Sequence, residues 1–248
     1  MTEFLTYQLF DLLNRPGPLW LVEANLSGGN LEGANLEEAN LIDAKISGSN
    51  LEEANLRGAK LKRAILRETK MKNANLEEVN LRWAMLNRSD CYRANFKKSN
   101  LRDARLKDVI FLETDLSGAD LRKAYCKKTI FEKADLEEAN LSAVDFDKVN
   151  MKEANLKKAN LTKAKLLATD LRKADLQEAC LEKANLEGSD LRGADLRGCN
   201  LKGANFQGAV LQDANLEGAN LKDADLRNAI LFDAILKGAT MPDGSIHE

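Results

Sequence analysis

Large apolar residues recur at every fifth position of this chain, from Leu26 to Met241. The series has 44 members, of which 33 are leucine. Two residues before each member the residue is small, and it is Ala in 30 of the 44 repeats. We call the large apolar position i, so that the small residue stands at i−2. Position i−1 is mostly Asn or Asp, and positions i+1 and i+2 are mostly charged, polar or Gly.

A period of five fits neither an α-helix, which buries a residue every 3.6 positions, nor a flat strand, which alternates every 2. It indicates a chain that points in, out and in like a strand and then turns a corner with two residues. Alternation of small and large inward residues lets successive layers pack without voids. The pattern therefore predicts a solenoid, in which each repeat contacts only its neighbours.

The repeats in which position i−2 is not Ala indicate how many repeats form one coil. Nine of these fourteen exceptions form an unbroken series spaced by twenty residues: Gly29, Ser49, Thr69, Ser89, Val109, Thr129, Val149, Thr169 and Ser189. Residues twenty apart are therefore expected to stack. Four pentapeptides then make one coil, and 44 make about eleven coils in a rod about 50 Å long, at a strand spacing of about 4.8 Å.

The repeats Ala34-Asn35-Leu36-Glu37-Glu38 and Ala194-Asp195-Leu196-Arg197-Gly198 resemble the A(D/N)LXX motif of the pentapeptide-repeat family. The resemblance covers residues 24–241 and implies an all-β solenoid, a right-handed quadrilateral β-helix. The ending Met241-Pro242-Asp243-Gly244-Ser245-Ile246-His247 also resembles the tails of cyanobacterial members. The resemblance implies little about function, since most members of the family lack a known activity.

The two ends differ from the repeats between them. Residues 3–14 have an amphipathic pattern that ends at Pro16, and they predict a short N-terminal α-helical cap. We therefore divide the chain into a cap and lead-in (1–23), the β-helix (24–241) and a C-terminal tail (242–248). Near the C-terminus, outward positions are unusually apolar, which predicts an end-patch that the tail covers or that forms a homodimer. This end-patch consists of Ile230, Phe232 and Ile235.

Charge is distributed unevenly along the rod. Residues 57–133 contain 20 basic and 10 acidic side chains, whereas residues 1–56 have a net charge of −7 and residues 134–248 of −5. We name the four sides by their first position i: side A by Leu26, B by Leu31, C by Leu36 and D by Leu41. Corner DA joins side D to side A, and corner AB follows side A. Basic residues concentrate on these two corners, Lys107, Lys123, Lys127 and Lys128 among them.

An apolar and aromatic strip lies within this basic region. On side A, position i−1 is Ile65, Met85, Arg105 and Tyr125 in successive coils, and Trp83 lies on corner DA. Such a mixture is typical of interfaces. The candidate interaction surface comprises Lys62, Arg63, Ile65, Arg82, Trp83, Met85, Arg102, Arg105, Arg122 and Tyr125. It is interpreted as a solvated face, as a docking surface for an acidic protein partner, or as a nucleic-acid contact.

The residue types that catalysis needs are scarce. The one histidine is His247, so the sequence supports neither a Ser–His or Cys–His nucleophile pair nor a histidine metal cluster. The cysteines show no CxxC spacing and are predicted to be small buried hydrophobes: Cys91, Cys126, Cys180 and Cys199. The glycines form no phosphate-binding loop. We therefore expect no catalysis, no cofactor and no metal.

Three functions remain. The first is a rigid scaffold for protein–protein interaction, and the second is binding of nucleic acid or another polyanion through the basic corners. The third is implied by the family, some members of which act on topoisomerases by mimicking DNA. Mimicry needs a strongly acidic rod, and a net charge of −2 with a basic centre disfavours it.

The location of the protein is expected to be the cytoplasm. Residues 1–10 lack the basic segment of a secretory leader. No apolar run approaches the roughly 20 residues that a membrane helix needs, so no membrane contact is expected.

Overall fold

The computed structural model describes residues 17–248. Within them, parallel bridges connect the i−1 residues of pentapeptides twenty positions apart, from Trp20↔Asn40 to Asn220↔Thr240. The predicted period of twenty, with four sides to a coil, is confirmed. Residues 17–248 contain no helix and no strand longer than one bridge residue, because each side turns a corner after three residues. The cap helix predicted for residues 3–14 lies outside the described residues.

Backbone hydrogen bonds connect each coil to its neighbours. The N–H of Leu26 donates to the Lys45 carbonyl (2.7 Å), and the N–H of Lys45 donates to the Ala24 carbonyl (2.9 Å). At the corner, the N–H of Gly28 donates to the Ser47 carbonyl in the adjacent coil (2.9 Å). A repeat therefore directs three of its five N–H groups to adjacent coils, so that the buried backbone is satisfied without long strands.

The other two N–H groups of a repeat are satisfied locally. The N–H of Gly29 closes the turn on the Leu26 carbonyl at 3.1 Å. The N–H of Ser27 donates to the Asn25 side-chain oxygen at 3.2 Å, and the same contact joins the N–H of Arg122 to Asp120 at 3.1 Å. Asn and Asp are thus preferred at position i−1 because their short side chains accept this bond.

The second residue of each corner has a left-handed backbone. From Glu23 to Gly238, every position i+2 has a φ between 50° and 69°. A type II turn needs a positive φ at this place. Glycine adopts it without strain, yet most corners carry another residue, as at Glu38 (φ 54°). Each of those corners costs stability that the ladder of hydrogen bonds offsets.

The interior is a column of stacked side chains. Four phenylalanine rings meet near the middle of the rod: Phe96 and Phe111 edge to face at 5.4 Å, Phe111 and Phe131 stacked at 5.2 Å, and Phe131 and Phe146 edge to face at 5.9 Å. Cys91 occupies a position i beside these rings, and its small volume helps the column to accept them.

The cysteine prediction holds for three of the four residues. Cys91, Cys126 and Cys199 are buried, and burial raises the pKa of the Cys91 thiol well above its ordinary value. Cys180 is half-buried instead, because it stands at an outward i−1 position of side D. Its sulfur lies 3.2 Å from the Thr162 hydroxyl.

Hydroxyl groups explain much of the exceptional series on side B. The buried hydroxyl of Thr69 donates to the Ile46 carbonyl (3.1 Å), and that of Thr129 donates to the Leu106 carbonyl (2.7 Å). Each acceptor belongs to position i of side A in the preceding coil. The hydroxyls therefore connect coils inside the rod, where an unpaired polar group would be costly.

No helix within residues 17–248 is long and apolar enough to cross a membrane.

The left-handed corners give a stability test at Gly208, where φ is +66° and a Cβ would meet no atom within 4 Å. Gly208→Ala is expected to lower the free energy of unfolding by about 1 kcal/mol, since backbone strain alone opposes the change. The control, Gln207→Ala at the first residue of the same corner, should change it by less than about 0.5 kcal/mol. Urea unfolding measures both, and equal effects would contradict the assignment of strain to position i+2.

Candidate interaction surface

The strip predicted on side A is continuous. Parallel bridges join Ile65 to Met85, Met85 to Arg105 and Arg105 to Tyr125. Tyr125 is 46% exposed, Arg105 is exposed, and Ile65 and Met85 are half-buried. The repeat therefore presents these four side chains as one column on the outside of the rod.

Side A lacks the hydrogen bond from a backbone N–H to position i−1 at each residue of this column. None of the four side chains can replace Asn or Asp as the acceptor for the N–H two residues later. The N–H groups two residues after the column residues belong to Arg67, Asn87, Lys107 and Lys127. Within residues 17–248, these four N–H groups have no acceptor. An unmade hydrogen bond at a solvated site costs little. The four residues nevertheless add no hydrogen bond to the turn, so turn stability does not explain why they stand there.

Trp83 lies beside the column with its ring already in contact with cations. The Arg82 guanidinium carbon lies 3.9 Å from the ring centroid and the Lys62 ammonium nitrogen 5.0 Å from it. Such cation–π contacts fix the ring against the rod. The indole remains 39% exposed, so a partner can still contact it.

Four arginines of the predicted surface lie near three carboxylates of the rod. Arg122 contacts Asp120 through two hydrogen bonds, of 2.9 and 2.6 Å. Arg63 donates through Nε to Asp43 at 2.6 Å. The remaining two share one carboxylate: Arg82 Nε lies 3.5 Å and Arg102 Nε 3.8 Å from Asp103 Oδ2. These residues contribute less positive charge to the surface than their number predicts.

Lys62 and Arg67, on corners DA and AB, form no ion pair with a described residue, and further unpaired positive charge lies around Tyr125. Among residues 17–248, four basic side chains there form no ion pair; we call them the unpaired basic cluster, and they are Arg105, Lys123, Lys127 and Lys128. Of these, only Arg105 belongs to the predicted surface. The acidic partner of a basic residue lies one coil away in some cases, as for Arg63, and in the same repeat in others, as for Arg122.

A shallow depression of about 460 Å³ lies between Tyr125 and the coils before it, lined by Asn87, Arg105, Lys107 and Tyr125. Sequence reasoning missed Asn87, whose side-chain oxygen Oδ1 is buried without a hydrogen-bond partner in the described part of the chain. An Asn at the first residue of a corner gave no signal, since polar residues are ordinary there.

The predicted end-patch is exposed on the last coil. Ile230 is 51%, Phe232 65% and Ile235 49% exposed. The tail folds back over part of this end, where Thr240 and Ile246 form an antiparallel bridge and the His247 N–H donates to the Ala239 carbonyl at 2.9 Å. It thereby covers side D.

Sides A, B and C stay open at the same end. Within the described residues, the N–H groups of Leu226, Leu231 and Leu236 have no backbone acceptor. The end therefore combines apolar side chains with unpaired edge donors.

No group of three or more His, Cys, Asp or Glu side chains within residues 17–248 is arranged to hold a metal ion.

The family described as Pentapeptide repeats matches residues 21–58 and 64–243. The chain belongs to the pentapeptide-repeat family. No curated protein sequence matches this pentapeptide-repeat protein significantly.

A solved structure supports the right-handed quadrilateral β-helix over most of the chain. The pentapeptide-repeat protein HetL, involved in heterocyst differentiation regulation in the cyanobacterium Nostoc sp. strain PCC 7120, is 32% identical and has a TM-score of 0.62; the similarity covers 88% of this chain and 91% of that one. Rfr23 from the cyanobacterium Cyanothece 51142 is 33% identical over 44% of this chain and 88% of its own, with a TM-score of 0.42. The relative from Nostoc agrees with the resemblance to cyanobacterial members.

The ion pairs of this pentapeptide-repeat protein give a pH test. The hydrogen bond from Arg63 lowers the pKa of Asp43 below its ordinary value. The pair therefore stabilises the fold above the unfolded pKa of about 3.9 and loses this contribution as pH falls through the lower folded pKa. Arg63→Gln should lower the urea midpoint at pH 7 and leave it near that of the wild type at about pH 2.

Arg67→Gln is the matched control, because Arg67 contacts the Met85 sulfur (3.3 Å) and no carboxylate. Its effect on the midpoint should not depend on pH in this range. A pH-independent loss in the Arg63 variant would contradict the assigned role of the pair.

Proposed function

We propose that this pentapeptide-repeat protein is a non-catalytic scaffold that binds a protein partner along side A. The observation that carries the proposal is the unbroken column of Ile65, Met85, Arg105 and Tyr125, with Trp83 beside it. Aromatic and arginine side chains that remain exposed are the groups that contribute most to protein interfaces. In four successive coils the column replaces the Asn or Asp that the turns prefer. The fold itself does not require this replacement.

The relative from Nostoc supports a regulatory setting for such a scaffold, because that protein is involved in heterocyst differentiation regulation. A non-catalytic rod acts in regulation by binding. The proposed partner is an acidic protein, since the charge left over around Tyr125 is positive.

The test removes the aromatic contacts. The variant carrying Trp83→Ala and Tyr125→Ala is expected to capture at least about tenfold less of its partner from a lysate of the source organism, because truncating interface hot spots costs about 2 kcal/mol or more. Its free energy of unfolding should stay within about 0.5 kcal/mol of the wild type, as for other exposed sites. Affinity capture with quantitative mass spectrometry, together with urea unfolding, measures both.

Tyr92→Ala is the matched control. Tyr92 lies on the corner between sides B and C, diagonally opposite corner DA, and its ring contacts Arg93 at 4.8 Å as Trp83 contacts Arg82. Capture should be unchanged in this variant. Equal capture by the wild type, the double variant and the Tyr92 variant would contradict the proposal. Unfolding of the double variant would show that Trp83 and Tyr125 have a structural role instead.

We propose in addition that the end-patch joins two copies of the chain. The support is the coincidence of Phe232 with the free N–H groups of the last coil, which a second open edge can cover. Phe232→Glu should convert a dimer into a monomer in sedimentation equilibrium, because a buried unpaired carboxylate is costly. Leu167→Glu, at an exposed apolar position in a coil away from this end, is the charge control and should leave the mass unchanged. A monomeric wild type would contradict the proposal.

A further inference from the structure

Each of the four side chains that line the depression beside Tyr125 carries a hydrogen-bond donor, although most of the exposed lining surface is apolar. Arg105 offers a guanidinium, Lys107 an ammonium, Tyr125 a hydroxyl and Asn87 an amide, and no carboxylate lines it. Arginine presents a planar fork that matches the oxygens of a carboxylate or a phosphate. Such a set of groups suits an anionic ligand with several oxygen acceptors.

The charge around the depression strengthens this preference. Of its two basic lining residues, Lys107 contacts an acid, Asp108, at 3.8 Å. Asp145 follows Tyr125 on side A, but Lys165 lies 3.9 Å from its carboxylate. The unpaired basic cluster supplies the rest of the field. A ligand with more than one negative charge gains more from this field than a single carboxylate does.

Two other depressions differ in this respect. One, lined in part by Arg67, Glu68 and Arg88, contains an ion pair of 3.2 Å between Arg88 and Glu68. Another, on side C, has four acidic residues against two lysines in its lining: Lys97, Lys98, Asp115, Asp135, Glu137 and Glu138. Acidic residues line both of these depressions, and the first shares Asn87 and Lys107 with the Tyr125 depression, which no acidic residue lines.

We propose that the depression beside Tyr125 binds a phosphate group carried by a phosphorylated segment of the protein partner. The inference rests on the proposed function, because it names the chemistry by which side A recognises that partner. A phosphate ester carries close to two negative charges at pH 7 and three acceptor oxygens, so it can satisfy Arg105, Lys107 and Tyr125 together. The hydrophobic residues Ile65 and Met85 extend the contact along the rod for the flanking peptide.

A single-stranded nucleic acid fits this surface less well. Such ligands need a basic groove that follows several nucleotides and aromatic rings free to stack on bases. The unpaired basic cluster occupies only two successive coils, about 5 Å apart. Arg82 and Lys62 lie over the ring of Trp83, so a base has to displace a cation to stack there, although 39% of the residue stays exposed. The geometry therefore favours one phosphate at one place over a continuous backbone.

The first experiment titrates the full chain with inorganic phosphate at constant ionic strength and follows side-chain NMR signals. Saturable shifts are expected at Arg105 and Tyr125, and the variant with Arg105→Gln and Lys107→Gln should bind at least about tenfold more weakly, as for the loss of two charge-assisted contacts. The control variant with Lys97→Gln and Lys98→Gln removes the same charge from side C and should bind as the wild type does. Shifts that do not saturate, or equal weakening in both variants, would overturn the site.

The second experiment separates the inference from the scaffold function. A lysate of the source organism is divided, and one half is treated with a phosphatase before capture on the wild-type chain. Capture should fall at least tenfold after treatment. Undiminished capture that still depends on Trp83 and Tyr125 would overturn the phosphate inference and leave the scaffold intact. Tighter binding of a twelve-residue oligothymidylate than of a phosphoserine hexapeptide would assign the depression to nucleic acid and overturn the inference as well.

Discussion

The backbone hydrogen bonds between successive coils, which join residues 19 or 21 positions apart, are the constraint on which the rest of the structure depends. They hold the outward residues of successive coils in register, as in the bridges from Ile65 to Met85 and from Met85 to Arg105. Because the chain turns a corner after three residues, no side is a strand that could stand alone. The stacking of the inner leucines and the ladder of backbone bonds therefore form together, and each coil is stable only against the next.

Because the backbone bonds and the inner leucines hold the coils together, the outward side chains are free to vary. Position i−1 contributes one local bond when it is Asn or Asp, and the coil persists when it is Ile, Met, Arg or Tyr, as on side A. Side A departs from the preferred residue in five successive coils, from Lys45 to Tyr125, and this departure is informative because neither packing nor turn geometry selects it. The same reasoning applies at the C-terminal end, where Phe232 is 65% exposed and has no coil above it.

Much of the fold was predictable, and part of the site was not. The frame from Leu26 to Met241, the twenty-residue coil and the continuity of the side A strip all followed from spacing, because a strict repeat fixes which residues stack. The sequence prediction overstated the positive charge that the arginines contribute to the surface. Arg122 pairs with Asp120 inside its own repeat, and Arg82 shares Asp103 with Arg102. Rotamers and distances decide such pairing, and the residue types in a column do not reveal them.

The sequence by itself determined the period, the number of sides, the identity of the buried column and the side on which apolar and basic residues meet. These are one-dimensional properties, since in a solenoid a position in the chain fixes a position in space. Only the tertiary structure decided which charges stay unpaired, that Asn87 joins Arg105, Lys107 and Tyr125 in one depression, and that the tail covers side D alone. Each of these depends on how side chains and a non-repeating segment fill space between coils, which no spacing specifies.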